Sequence, residues 1–267
     1  MESSPTGSRD SADVLALCYH AVSPDWPAEL SVSPQSLAEQ VEHLAERGYR
    51  AITFSEAVLG EVSGKTVAIT FDDGYASTVR LARPILDRFG MRATVFVPTD
   101  YIGGGPMSWP GIDNWVGTEH EPELVPMSWE EVRELADAGW EIGSHTKSHP
   151  RLPQISDRQL EEELVESRRT CEQMLDRPCR SIAYPYGDHD QRVVAATGRA
   201  GYSAAGTFPA RTPAPEPLAW PRIGVFHDDS MRVFRVKVSP AVRRVRRSRA
   251  WGPLVAPLRK LSGRSRG

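Results

Sequence analysis

Two carboxylates stand side by side at the end of an apolar run in VAITFDDGYAS, residues 67–77. Neighbouring residues of a strand point to opposite faces, so Asp72 and Asp73 can serve different purposes. Like charges this close also repel unless something positive lies beside them. A second segment supplies a candidate. GSHTKSHP, residues 143–150, follows another apolar run and sets His145 and His149 four residues apart. Two neutral imidazoles at this spacing can turn toward one metal ion. Two His and one carboxylate around Zn2+ leave a position open for water, the pattern of a catalytic site. Asp73 is then the third ligand, and Asp72 stays ionised beside the cation as a base. Alone, DDG is usually a turn and a lone H-x-x-x-H is usually a surface feature. Their weight comes from lying directly after strands, because strand C-termini line the active face of barrels and open α/β sheets.

Those strand ends need a scaffold. VLALCYH (14–20), KTVAITF (65–71), RATVFVP (92–98), WEIGSH (140–145), SIAYPYG (181–187), YSAAGTF (202–208) and RIGV (222–225) read as short strands. SPQSLAEQVEHLAERG (33–48) reads as a helix, with Ser33 as cap, Pro34 in the first turn, a Leu37–Val41–Leu44 stripe and Gly48 as stop. ASTVRLARPILDRFG (76–90) reads as a helix bent or restarted near Pro84. Capping boxes open helices over 128–139 (Ser128 with Glu131) and 156–176 (Ser156 with Gln159). A further helix is expected over 189–200. Strand and helix alternate, which implies parallel strands joined by crossover helices. An open doubly wound sheet and a closed β/α barrel both fit. The Gly/Pro-rich stretch 99–127, with Trp109 and Trp115, breaks the rhythm; it is either a functional lid or an insertion that packs on itself.

Composition narrows the function classes. The chain has 267 residues, 40 % of them hydrophobic and 25 % charged, which suits one large domain with a tail. No glycine fingerprint follows the first strand, so a dinucleotide site is not expected. Cys18, Cys171 and Cys179 are too few for a disulfide framework or a thiolate metal site. Residues 1–12 are polar and expected to be disordered, with no basic cluster followed by an apolar run, and no stretch reaches the about 20 apolar residues of a membrane helix. The expectation is a cytoplasmic protein. Charge is uneven: 12 of the 32 Lys and Arg, and no acid, fall in 232–267, which leaves 20 cations against 35 acids in 1–231. The expected organisation is a catalytic domain over 13–231 and a basic tail over 232–267. Pro253 and Pro257 argue against one long helix in that tail. Trp251, Leu254 and Val255 could insert shallowly into an anionic membrane surface, which makes a peripheral position at the inner face of the membrane an expectation; a solvated tail is the alternative. Nucleic acid is not expected, since no recognised module accompanies the basic run.

Three motifs in order resemble a known family. TFDDG (70–74), SHTKSHP (144–150) and AYPYG (183–187) are similar to the first three motifs of the polysaccharide deacetylases, the carbohydrate esterase family with the NodB-type domain, over roughly residues 14–230. The resemblance implies a deformed (β/α) barrel and a metal-dependent hydrolase that removes acetyl groups from N-acetylated sugars. Carried over by position, Asp73, His145 and His149 hold a divalent metal, Zn2+ foremost, and Asp72 is the base. Tyr186 supplies a backbone N–H for the oxyanion. The YH of LCYHAV resembles the branch that acts on poly-N-acetylglucosamine, which makes His20 the favoured general acid over His227 in VFH. Many members carry Arg where Ala183 stands, and that Arg orients the base; Arg222 in WPRIGV is the substitute expected here on the substrate side of the site. The family's Asp-pair-and-Trp motif has no clear counterpart. The substrate is expected to be a polysaccharide, an oligosaccharide or a lipid- or nucleotide-linked amino sugar. The alternatives are a sugar-binding protein of the same fold without catalysis, and a deformylase of a lipid-linked amino sugar.

Overall fold

Small residues set the width of the structure. In the computed structural model, which describes residues 13–208 and 215–247, the strand faces that turn inward carry Ala16, Ala68, Ala183 and Ala204, all buried. Such short side chains let parallel strands curl into a narrow barrel. In chain order the strands are β1 (Asp13–Tyr19), β2 (Ala21–Val22), β3 (Ser31–Val32), β4 (Arg50–Ala51), β5 (Lys65–Phe71), β6 (Thr94–Val97), β7 (Glu141–Ser144), β8 (Ser181–Ala183), β9 (Ala204–Thr207), β10 (Trp220–Pro221) and β11 (Ile223–Gly224). The main sheet runs β10-β9-β8-β7-β6-β5-β1-β11, with β4 beside β5, and β2 pairs with β3 apart from it. All these pairings are parallel. Only Arg222 separates β10 from β11. The strip 220–224 therefore pairs with β9 on one side and β1 on the other, and the ring nearly closes at that residue.

One column of side chains fills the barrel. Phe54 meets Phe96 edge-on with ring centroids 5.5 Å apart, and the Arg222 guanidinium lies 5.2 Å from the Phe96 ring. Gly143 makes room for that column, since a Cβ there would stand 2.5 Å from the Phe96 ring.

Helices wrap the outside: α1 (Pro34–Glu46), α2 (Phe54–Leu59), α3 (Arg83–Asp87), α4 (Trp129–Asp137), α5 (Asp157–Leu175), α6 (Gln191–Arg199), α7 (Met231–Val238) and α8 (Pro240–Arg247). The expected caps form: Ser33 accepts from Ser36 N, and both capping boxes close. The bend near Pro84 takes a definite form. Residues Thr78–Ala82 make a π-turn in which Arg83 N–H donates to Thr78 O, and α3 follows. The wider turn accommodates a ring that has no N–H to give and would crowd the carbonyl four residues back.

The structure adds elements with weak sequence signals. β4 and α2 are too short for a visible period, yet α2 buries Phe54 and Ala57 in the barrel's end. The basic segment does not begin outside the body: α7 buries Phe234 and Val238 in the main core. The tail features at Trp251, Pro253, Leu254, Val255 and Pro257, and residues 1–12, lie outside the described residues. Among the described residues, no helix is long and apolar enough to cross a membrane.

Candidate active site

The β5 strand ends on Phe71, and the next residue still belongs to the sheet, because Asp72 N–H donates to Tyr19 O at 2.9 Å. Asp73 then turns with φ +69 and Gly74 with φ +68, which throws the two carboxylates in different directions. His145 follows β7 in the same way, its N–H bound to Val97 O at 2.8 Å. A tight turn brings His149 back beside it. Thr146 in that turn has φ +68, an outlier for a β-branched residue. It is held there because its N–H donates to Ser144 Oγ and its Oγ1 accepts from His149 N. Glu163 of α5 accepts from the N–H groups of Lys147 and Ser148 at 2.8 and 2.9 Å, pinning the loop between the histidines.

Asp73, His145 and His149 are all buried, with donor atoms within 4.8 Å of one another. Asp73 Oδ1 lies 3.2 Å from His145 Nε2 and 3.4 Å from His149 Nε2. His145 Nδ1 meets Ala183 O at 2.8 Å, so Nδ1 carries the hydrogen and Nε2 faces Asp73 with its lone pair. Asp73 Oδ1 is buried and has no hydrogen-bond partner. A buried orphan acceptor facing two imidazole nitrogens fits a divalent cation, which such a donor set binds. The imidazoles respond differently to the acids. Burial lowers His145, but the neighbouring Asp73 and Asp72 carboxylates outweigh it, and its pKa is raised. Burial wins at His149, whose pKa is lowered. For Asp73, burial acts upward, and the two neighbouring histidines act downward and win.

Asp72 belongs to a different set of partners. Arg222 Nη1 donates to Asp72 Oδ1 at 2.6 Å and Nη2 to Oδ2 at 2.7 Å, a bidentate fork, and Nη1 also reaches Thr70 Oγ1 at 2.9 Å. Both side chains are essentially inaccessible, at 1 % and 5 % exposure. Burial alone would raise the Asp72 pKa; the Arg222 charge and hydrogen bonds reverse this and hold the carboxyl below its ordinary value. Cys18 Sγ lies 3.4 Å from Asp72 Oδ2, and its thiol is pushed up by burial. The donor atoms of Cys18, His20 and Asp72 also lie within 4.8 Å of one another. Buried His20 Nδ1 has no partner. Gly206 is glycine because a Cβ there would stand 2.6 Å from Arg222 Nε.

The cleft around these groups has a volume of 690 Å³. His20, Asp72, Asp73, His145, His149, Tyr186 and Arg222 all line it, so the seven residues singled out in the sequence converge. His227 is exposed and does not line it; its N–H donates to Glu29 O. Tyr186 takes φ +60. Its ring stands 4.8 Å from that of His149, and burial pushes its hydroxyl up to about 12.

The stretch 99–127 proves to be a wall. Met107, Trp109, Ile112 and Leu124 pack with Trp26 and Tyr75 into a small core of their own. That core presents Trp109 to the site, stacked on His149 at 4.2 Å and 23°. Sequence reasoning missed Trp109, Cys18 and Glu163. Trp109 had a signal, a Trp in a long Gly/Pro-rich loop, whereas Glu163 looks like any exposed helix acid.

The chain and its fold have relatives among known proteins. A family model described as polysaccharide deacetylase matches residues 60–205. YxkH of Bacillus subtilis (strain 168), whose name assigns it provisionally to the polysaccharide deacetylases, is 29 % identical over 237 residues, covering 86 % of this chain and 73 % of its own. Poly-β-1,6-N-acetyl-D-glucosamine N-deacetylase of Escherichia coli (strain K12) is 29 % identical over 150 residues, 49 % of this chain; the match spans only 20 % of that longer protein. Among solved structures, BC0361, a polysaccharide deacetylase from Bacillus cereus, superposes with a TM-score of 0.68 at 27 % identity, covering 85 % of this chain and 69 % of that one. The Streptococcus pyogenes deacetylase PplD shares the fold, with a TM-score of 0.71 at 22 % identity and coverage of 85 % and 98 %.

Proposed function

This chain belongs to the polysaccharide deacetylase family, and from that premise we propose that its cleft hydrolyses the N-acetyl group of an N-acetylated amino-sugar polymer or oligosaccharide. Asp73, His145 and His149 would hold a divalent cation, with Zn2+ the first choice for this donor set. When bound, such a cation supplies Lewis acidity at the acyl carbonyl and lowers the pKa of water.

The chain's own groups do the rest. Asp72 takes the proton from the attacking water. Arg222 engages one lone pair on each Asp72 oxygen, which keeps the carboxylate ionised and fixes its direction; Cys18 Sγ also meets Oδ2, which leaves Oδ1 the freer oxygen to take the proton. The Tyr186 backbone N–H donates to the oxyanion that develops on the carbonyl. His20 gives a proton to the leaving nitrogen as the C–N bond breaks, because an amide anion will not depart. Acetate and a free amine result. His20 is preferred to His227 because only His20 lines the cleft. Trp109 holds the His149 ring by stacking.

The observation that carries this reading is the separation of the adjacent acids into two buried sets, Asp73 with two histidines and Asp72 with Arg222. A binding protein without catalysis has no use for a buried base held beside a metal-type donor set. The names of the matched relatives support N-acetylglucosamine polymers as the substrate class. The test compares the protein with Asp73→Ala for bound metal and for acetate released from N-acetylglucosamine oligomers. One metal per chain, lost in the variant together with acetate release, is the expected result. A protein that binds no divalent metal specifically would overturn the reading.

A further inference from the structure

The opposite end of the barrel holds a second cavity, of 310 Å³, between the end of α1, the start of β5 and the corner of α7 and α8. Lys65 opens β5 and Asp72 follows it, so about 23 Å of extended strand separates this cavity from the cleft. His43, Arg47, Lys65 and Arg235 line it, with Val236 and Val242 beside them. They come from three separate stretches of chain, so the cluster is made by folding and not by one basic run.

Some surface cations have acid partners and others, such as Arg50 and Arg199, have none among the described residues; what sets Arg47, Lys65 and Arg235 apart is that they line one cavity. Arg80 pairs with Glu131, Arg83 with Glu134, Arg177 with Asp137 and Arg192 with Asp157. Arg47, Lys65 and Arg235 make no ion pair among the described residues. Acids are not scarce, since residues 1–231 carry 35 against 20 cations. Lys65 Nζ instead donates to Arg47 O at 3.0 Å, which tethers the two cationic residues together. Burial and the charges of Arg235 and Arg47 push His43 below its ordinary value, with Glu46 acting against them.

We propose that this cavity is a binding site for a phosphate-bearing anion. Two guanidinium groups offer planar forks that match phosphate oxygens, and the lysine adds a point charge. The volume lies at the lower end of small-ligand pockets, about 300–1,000 Å³. It suits a headgroup or a small phosphorylated molecule, not a folded partner. Two sources share this chemistry. A lipid headgroup would also use the apolar rim, where Val233 and Val236 stand 41 % and 52 % exposed one turn apart on α7. A soluble phosphate would use the cations alone. The proposal is independent of the reaction assigned to the cleft.

The test uses the full chain and the triple variant R47Q/K65Q/R235Q. Glycerol phosphate is titrated calorimetrically, and sedimentation is measured with phosphatidylcholine vesicles with and without phosphatidylglycerol. The wild-type chain is expected to bind at least one probe, and the variant to bind it at least about tenfold more weakly. Acetate release from soluble oligosaccharides and the thermal midpoint should be unchanged. Binding to anionic vesicles, with or without glycerol phosphate, identifies the lipid source; binding of glycerol phosphate alone identifies the soluble one. If the triple variant misfolds, Lys65→Gln alone, at an exposed position, should weaken binding severalfold. No binding of either probe, or equal binding by wild type and variant, overturns the proposal. The cations would then serve only the C-terminal ends of α1 and α7, whose dipoles they complement.

Discussion

Two arginine–carboxylate pairs mark the two ends of the barrel. At the catalytic end, Arg222 grips Asp72 at 2.6 and 2.7 Å with side chains 1 % and 5 % exposed. At the other end, one nitrogen of Arg92 reaches both oxygens of Glu56 at 2.7 and 2.9 Å, with side chains 43 % and 48 % exposed. The lengths are nearly equal and the physics is not. Buried charges have lost their water, so each depends on the other and neither can be removed cheaply. Exposed charges keep water as an alternative partner. Distance alone thus says little about what a pair does; burial decides. The same contrast runs through the rest of the molecule. Among the described residues, four of the five non-glycine residues at positive φ, Asp73, Thr146, His149 and Tyr186, lie at the catalytic end, where packing and hydrogen bonds hold an unfavoured backbone.

The sharpest test of the catalytic end separates its two acid sets. Asp72→Asn should lower acetate release by about 10²–10⁴-fold, the range for a lost general base. It should leave bound metal at wild-type level, because Asp72 is not in the Asp73–His145–His149 group. Metal analysis beside a rate assay checks this. Parallel loss of metal would mean that the two acids act as one site.

Breaking the buried pair from the other side should cost stability as well. Arg222→Met leaves Asp72 charged and unpaired in the interior, and about 3–5 kcal/mol of folding free energy should be lost, read by denaturant unfolding. The double variant Asp72→Asn/Arg222→Met should recover much of that stability and none of the activity. If the single variant is as stable as wild type, the fork does not hold the base and the comparison fails at its strongest point.

Much of this was legible in the residues. Strand ends carried TFDDG and GSHTKSHP, so the sequence placed Asp72, Asp73, His145 and His149 on one face once alternation implied parallel strands. The capping boxes at Ser128 and Ser156 form as read. What stayed hidden was long-range or short. Arg222 meets Asp72 across 150 residues; only the family resemblance, through the Arg missing at Ala183, points to it, since nothing local distinguishes it from a surface arginine. Its place between β10 and β11 follows from ring closure, which no local pattern encodes. β4 and α2 are too brief for periodicity, and α7 reads as a basic run although Phe234 and Val238 anchor it in the core. The stretch 99–127 reads as either a lid or an insertion that packs on itself; it packs on itself, and its Trp109 stacks on His149 at the site.

A carboxylate at the far end tests whether burial there serves structure alone. Glu141, at the start of β7, accepts from Ser55 N, Ser55 Oγ, Thr94 Oγ1 and Ser181 Oγ, which ties α2 to three strands. Glu141→Gln can set its amide N–H2 toward the Ser55 and Ser181 hydroxyls, which turn to accept, so the loss is that of charge-assisted bonds replaced by neutral ones and should cost about 1–2 kcal/mol. Acetate release by the folded variant at low temperature should match wild type. A large fall in rate with unchanged stability would mean that this end of the barrel communicates with the cleft.

The smallest effect should come from the exposed pair itself. Arg92→Met removes contacts nearly as short as those of Arg222, yet both partners are about half exposed and Glu56 keeps water. Glu56 also keeps its place in the α2 capping box, where it accepts from Thr53 N at 2.7 Å. The loss should therefore stay within about 1 kcal/mol, and added salt should shrink it further because exposed charges are screened. Unfolding curves for Arg92→Met and Arg222→Met, each at low and high salt, place the two pairs on one scale. Equal destabilisation would mean that geometry and not burial sets their worth. A large gap that salt widens slightly is the outcome the two environments require, since salt weakens the exposed pair and barely reaches Asp72.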